Sequence, residues 1–111
     1  MTWEEAVAHA LTIEGTELTT SYRQPAVKAN GNAVLNVGHE SDVSFCLHLD
    51  LDLKQMLMDT HPETFFETPH YAGYPALLVR YDSPDDAIVR EMIARSIERA
   101  KAKKPPSARK A

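Results

Sequence analysis

The chain has one cysteine, four glycines and no long apolar run, and these scarcities exclude several classes of protein. Cys46 has no second cysteine to pair with inside the chain, which excludes an intrachain disulfide framework. No apolar stretch approaches the ~20 residues that a membrane-spanning helix needs. No charged and then apolar leader precedes Trp3. We therefore expect a protein of the reducing cytoplasm that does not span a membrane.

The common catalytic and phosphate-binding motifs are also missing. The sequence contains no Gly-rich phosphate loop, no G-x-S-x-G elbow and no H-E-x-x-H pair. Its three Phe, four Tyr and one Trp are not interleaved with basic residues in the way that single-strand binders require. We expect no catalytic residues, no resident cofactor and no enzymatic activity.

Charge divides the chain into two parts. A length of 111 residues with 43% hydrophobic residues suits one ordinary core. Residues 1–100 hold seven Lys/Arg and all sixteen Asp/Glu, a net charge of −9, whereas the last eleven residues carry +5. Pro105 and Pro106 block a helix there. We predict one domain over residues 1–100 and a basic, disordered tail over residues 101–111.

Hydrophobic periodicity and turn signals predict an α+β fold. A capping box at Thr2 and Glu5 starts a helix from about Trp3 to Leu11. Short β-like runs are separated by turn signals, of which Asn30-Gly31 is the strongest because a type I′ turn needs positive φ at both positions. The predicted strands are 18–22, 26–29, 33–37, 43–49 and 76–81, with turns at Gln24-Pro25 and in 38–42. The order α-β-β-β-β-α-β-α implies an antiparallel sheet with helices packed on one face.

Two helices follow from capping and spacing. Asp50 or Asp52 caps a short helix that carries Leu53, Met56 and Leu57 and ends before Pro62. In the last helix, Ser83 is the predicted N-cap and Pro84 the first helical residue. The buried stripe of that helix is predicted to be Ile88, Val89, Met92, Ile93, Ile97 and Ala100.

The run Val43–Asp50 alternates strictly. Odd-numbered positions are apolar and predict the core face, while the even-numbered ones, Ser44, Cys46, His48 and Asp50, predict a largely wet face. Cys46 and His48 share that face, so a thiol–imidazole pair or a metal corner is conceivable there. A zinc site needs at least three converging ligands, and a catalytic cysteine needs an oriented base. We therefore expect an ordinary polar face and no metal, and solvated residues at His39, Glu40 and Asp42.

Two stretches resemble the MmcQ/YjbR family. Residues 21–31, SYRQPAVKANG, resemble that family's S-Y-G-x-P-A-F-K-V-x-G hairpin. Residues 62–75, PETFFETPHYAGYP, resemble its P-x-x-F-F-x-T-P-H-Y-x-G-x-P segment. The resemblance implies a fold likened to frataxin and to type III secretion chaperones, with a double-wing arrangement proposed to bind DNA. The sequence departs from the pattern at Arg23, where glycine is usual, and at Val27, where an aromatic residue is usual.

The densest aromatic and polar constellation lies between Phe65 and Tyr74. One interpretation is a packed cover for one end of the core. The other is a small concave site for an anionic ligand, formed by Lys28, His70, Tyr71 and Tyr74. The resemblance also places a lysine at position 28.

The predicted partners follow from the resemblance and from the basic tail. We expect weak, salt-dependent DNA binding, because about five charges release few counterions. The predicted contacts are Lys101, Lys103, Lys104, Arg109 and Lys110. The alternative is a module that binds a protein or a small anionic ligand. We also expect a monomer.

Overall fold

The computed structural model describes residues 1–21, 23–37 and 41–106. Within them the helices are α1 (Trp3–Leu11), α2 (Leu51–Thr60) and α3 (Asp86–Ala102), with a 3₁₀ turn at Pro69–Tyr71. The strands are β1 (Thr16–Ser21), β2 (Gln24–Ala29), β3 (Asn32–Asn36), β4 (Ser44–His48), β5 (Phe65–Phe66) and β6 (Ala76–Arg80). They form one antiparallel sheet in the order β1-β2-β3-β4-β6-β5. The predicted α+β class is confirmed, with β5 and the 3₁₀ turn added to the predicted order.

Helices α1 and α3 cover one face of this sheet. Alternate strand residues such as Val27, Leu47 and Val79 point towards them and join the large buried cluster of the protein. The predicted stripe of α3 lies in that cluster, with Ile88 half-buried at its edge. Burial of these side chains, each contributing about 1.5–3 kcal/mol, holds the helices on the sheet.

The local turn and cap signals are confirmed at three places. Thr2 and Glu5 form the reciprocal capping box of α1. The Asp50 carboxylate accepts the Leu53 amide at 2.8 Å and thereby caps α2. Asn30 and Gly31 have φ of +53° and +76°, as the tight turn between β2 and β3 requires.

The face of β4 predicted to be wet is buried at Ser44 and Cys46 and half-buried at His48, and only Asp50, beyond the strand, is exposed as predicted. Ser44 and Cys46 are fully buried, whereas Val43, predicted to lie in the core, is 52% exposed. Cys46 packs with Tyr71, Ala76 and Leu78 in a second cluster on the face opposite to α1 and α3. The prediction was wrong because alternation along one strand does not show that a distant aromatic segment covers its other face.

The start of α3 and the buried face of α2 also differ from prediction. Helix α3 begins at Asp86 with Asp85 as N-cap, two residues after the predicted Ser83. The Asp85 carboxylate accepts the Thr64 hydroxyl instead of capping the helix. In α2, Met56 is 45% exposed and Lys54 is buried in its place. The C-terminal end of α3 includes Lys101 and Ala102, so the helix continues into the predicted tail.

The chain reverses between β1 and β2 at Arg23, not at the predicted Gln24-Pro25, which begins β2. Arg23 has φ of +68°, a left-handed conformation that favours glycine. This is the position at which the MmcQ/YjbR pattern has glycine. The arginine therefore carries backbone strain that glycine would relieve.

Arg23→Gly is expected to raise the free energy of unfolding by about 0.5–1 kcal/mol, because relief of the left-handed strain exceeds the entropic cost of glycine. Urea denaturation measures the change. Arg23→Ala removes the same side chain but keeps a Cβ, so it serves as the matched control. Equal stabilisation by both variants would show that the side chain, and not the backbone, is responsible.

Candidate functional site

The aromatic segment, residues 65–75, folds back over the face of the sheet that α1 and α3 leave open. Phe65 and Phe66 pair with β6 at the edge of the sheet. The 3₁₀ turn then places Tyr71, 6% exposed, against Cys46 and Leu78. The segment is therefore a packed cover, as one of the two interpretations of the sequence expected.

Lys54 of α2 holds this cover in place through three polar contacts. Its side chain is 3% exposed, and its Nζ donates to the carbonyl oxygens of Tyr71 at 2.7 Å and Tyr74 at 2.8 Å. The same nitrogen lies 2.7 Å from Glu67 Oε1. These three acceptors match the three ammonium protons, so the buried charge is fully paired.

The structure brings three of the four predicted ligand-site residues together. The His70 and Tyr71 ring centroids are 4.9 Å apart, and those of Tyr71 and Tyr74 are 6.4 Å apart. His70 is exposed, and Tyr74 is 52% exposed. The site would therefore be an aromatic surface, with Tyr71 as its buried base.

Lys28, the fourth predicted residue, lies in β2, directly across from Glu17. Its neighbours Val27 and Ala29 point into the helix-covered core, so Lys28 points to the face that carries the aromatic segment. Two strands, β3 and β4, lie between β2 and β6. The lysine that contacts Tyr71 and Tyr74 directly is Lys54, which was not among the predicted site residues.

Cys46, which packs against the cover, forms a polar group with His48 and Asn36. His48 Nε2 lies 2.6 Å from Asn36 Oδ1 and 3.8 Å from Cys46 Sγ. The same ring nitrogen, His48 Nε2, makes both contacts. If it carries a proton and donates it to Asn36 Oδ1, it has no lone pair with which to accept a proton from the Cys46 thiol. Asp50 is engaged as the cap of α2.

Burial keeps both members of this pair neutral. It raises the pKa of Cys46 to about 12, although a hydrogen bond with Tyr71 and the charge of Lys54 oppose the change. Burial, with smaller contributions from the Arg99 and Lys103 charges, lowers the pKa of His48 to about 4. A nucleophilic cysteine requires the thiolate. The geometry and the protonation states both favour a structural role for the pair.

Folding stability is expected to fall as the pH is lowered from about 6.5 to about 4, because His48 takes up its proton in the unfolded chain before it does so in the folded one. The loss from this group amounts to at most about 3 kcal/mol. Urea denaturation of wild type and His48→Gln across that range isolates the contribution. Parallel stability curves for the two proteins would contradict it.

The C-terminal end of α3 is held against the turn between β2 and β3. Asn32 Nδ2 donates to the carbonyl oxygens of Ala100 at 2.9 Å and Lys104 at 3.1 Å, and Asn30 Nδ2 donates to that of Lys103 at 2.9 Å. Asn32 thereby satisfies the Ala100 carbonyl, one of the last four of α3 that lack an intrahelical partner, and the bonds to Lys103 and Lys104 fix the residues that follow the helix.

Two glycines give this end of the chain room to pack. A Cβ at Gly15 would lie 2.6 Å from Lys101 Cε, and one at Gly31 would lie 2.9 Å from Pro106 Cδ. The Lys101 stem and Pro106 therefore pack directly on these two glycine backbones.

This arrangement creates a basic edge, defined as Arg99, Lys101, Lys103 and Lys104 beside the turn at Asn30–Asn32. The three lysines are exposed and Arg99 is half-buried. The backbone of three predicted nucleic-acid contacts is thus fixed on the domain. The other two, Arg109 and Lys110, lie outside the described residues, as do Tyr22, His39 and Glu40.

Compared with family models, with curated proteins and with solved structures, the chain matches none. The MmcQ/YjbR resemblance therefore stays a prediction from two sequence motifs. The first of these motifs forms β2 and the turn that receives the end of α3. The second forms the cover that Lys54 fastens.

A shallow acidic depression lies at the Ser44 end of β4, the end opposite to His48. It has a volume of about 510 Å³ and is lined by Asp42, Val43, Phe66, Arg80, Tyr81 and Asp82. The Arg80 guanidinium carbon lies 4.0 Å from the Phe66 ring centroid. Burial and the carboxylates of Glu4 and Asp42 raise the pKa of Tyr81, consistent with a negative potential.

Within the described ranges, no three His, Cys, Asp or Glu side chains are grouped as they would be to hold a metal ion. None of the helices in these ranges has the length and apolar character needed to cross a bilayer.

Proposed function

We propose that this chain is a non-enzymatic cytoplasmic binding domain that contacts DNA weakly through its basic edge. The observation that carries the proposal is that the backbone of three exposed lysines, Lys101, Lys103 and Lys104, is fixed on the domain. The stem of Lys101 packs on Gly15. Fixed cations lose less conformational entropy on binding than cations on a free tail. The acidic body limits the contact to this edge.

The lysines also complement the negative end of the α3 dipole, which accounts for part of their presence without any ligand. The uneven distribution of charge along the chain is not explained by the helix dipole alone. Residues 1–100 carry −9, yet Arg99, Lys101, Lys103 and Lys104 are concentrated beside one turn. Such a local concentration can neutralise a few adjacent phosphates, and the expected affinity is low and salt-dependent.

Fluorescence anisotropy with a labelled DNA duplex tests the proposal. Replacing Lys101, Lys103 and Lys104 together by Gln is expected to weaken binding at low salt at least tenfold and to reduce the salt slope by about 2–3, near 0.9 per lost phosphate contact. The matched control replaces Arg90 and Arg95, exposed cations in the body of α3, by Gln. Equal losses in both variants, or unchanged binding in the first, would contradict the proposal.

A second candidate is a module that contacts a protein or a small anionic ligand at the aromatic segment. It is favoured by the exposure of Tyr74 and His70 beside a buried Tyr71. Aromatic side chains with one apolar face and one polar atom are enriched in protein interfaces. The Lys54 charge is already paired with Glu67 and two backbone carbonyl oxygens, so it is not available to an anionic ligand.

A further inference from the structure

Strand β1 is an open edge of the sheet. In the described structure it pairs only with β2, over six consecutive residue pairs from Thr16–Ala29 to Ser21–Gln24 without a bulge. The main-chain groups on its other side are therefore available to a further strand.

The two edges of the sheet differ in how they are protected. The opposite edge, β5, is only two residues long. Proteins otherwise protect edges with lysine, proline or bulges, and the β1 sequence TELTTS has none of these. Its one charged residue is Glu17. A long, regular and nearly uncharged edge is suited to pairing with another strand.

An exposed leucine lies at the centre of this edge. Leu18 pairs with Val27, whose side chain is in the helix-covered core, so Leu18 points to the same face. It is nevertheless 54% exposed, the largest exposure among the large hydrophobic side chains of the described residues. A strand added to β1 could bury it and extend the core outwards.

We infer that β1 pairs antiparallel with β1 of a second copy, with Leu18 opposite Leu18 of that copy. If a two-fold axis perpendicular to the sheet relates the two strands, one residue of β1 lies opposite its own copy. The three central choices for that residue are Glu17, Leu18 and Thr19. The first places like charges directly opposite each other, which is unfavourable, and the third places Leu18 against Thr20. The Leu18 register buries leucine against leucine and pairs Glu17 with Thr19.

Self-pairing is favoured over a foreign peptide because β1 complements itself. It carries no positive charge to attract an acidic partner and has only one apolar side chain along its length. The contact surface is one short strand, so the dimer is expected to be of the weak, concentration-dependent class. The proposed dimer differs from the monomer expected from the sequence, and it does not depend on DNA binding.

Sedimentation equilibrium of the full chain over about a hundredfold concentration range is expected to show a shift from 12.4 kDa towards twice that mass. Leu18→Lys places two ammonium groups at the centre of the contact and is expected to abolish the shift. Leu51→Lys is the matched control, because Leu51 is 51% exposed at the start of α2, away from β1. It should dimerise like wild type.

Cross-linking tests the register itself. Leu18→Cys is expected to form an interchain disulfide readily under mild oxidation, since the two positions face each other within disulfide distance. Thr20→Cys is the control: it lies on the same face of the same edge, but its two copies would be about 14 Å apart. The native Cys46 is fully buried and is not expected to react.

A wild type that stays monomeric at every concentration would overturn the inference. So would a dimer that Leu18→Lys leaves intact, or faster cross-linking at position 20 than at position 18. Dimerisation only after removal of residues 107–111 would show that those residues occupy the edge of the full chain, and would also overturn it.

Discussion

Lys54→Met is expected to lower the free energy of unfolding by about 3 kcal/mol and to speed the reaction of Cys46 with a thiol reagent about a hundredfold. The variant keeps most of the apolar stem but leaves the Tyr71 and Tyr74 carbonyl oxygens without their buried donor. Removing one partner of a buried, hydrogen-bonded charge typically costs several kcal/mol. Because Glu67 is about one-third exposed and can be hydrated, we place the cost at the lower end.

The reactivity of Cys46 reports local opening of the cover. The thiol is fully buried beneath the aromatic segment, so the reagent reaches it only when the cover opens. A loss of about 3 kcal/mol confined to the cover corresponds to a hundredfold larger open population. Gln55→Met, at an exposed neighbouring position of α2, is the control and should react like wild type. An unchanged rate in Lys54→Met would show that Lys54 does not hold the cover closed.

Tyr71→Ala is expected to destabilise the fold by about 3–4 kcal/mol, the range for deleting a buried aromatic side chain. Tyr71 is 6% exposed and fills the cluster with Cys46, Ala76 and Leu78. Tyr74→Ala is the matched control, because the same deletion at a 52% exposed position should cost less than about 1 kcal/mol.

Tyr71→Phe separates the ring from its hydroxyl. It removes the hydrogen bond with Cys46 but keeps the packing, and is expected to cost about 1 kcal/mol. Thermal or urea denaturation measures all three variants. Similar losses for the alanine variants at positions 71 and 74 would contradict the assignment of Tyr71 as the buried base of the cover.

Local signals predicted most of the secondary structure because they depend on a few neighbouring residues. The capping box at Thr2, the cap at Asp50 and the turn at Asn30-Gly31 each form through contacts within four residues. The stripe of α3 is equally local, since helical spacing decides which side chains share a face. These elements and the antiparallel sheet could be predicted from the sequence.

The candidate sites depend on contacts between distant residues, which the sequence patterns do not show. Lys54 meets Tyr71 across 17 positions, and Asn32 meets Ala100 across 68. One signal for Lys54 was present, because helical spacing places it on the same side of α2 as Leu57 and Met58. For Asn32, the turn chemistry was recognised, but its second role as a cap for α3 requires the folded chain.

The proposed function is tested most directly by an amide NMR titration with a short DNA duplex at low salt. Chemical-shift changes are expected at Asn30–Asn32 and in residues 99–106, and they should disappear when the salt concentration is raised. Changes confined to residues 70–75, or no changes at saturating DNA, would contradict it.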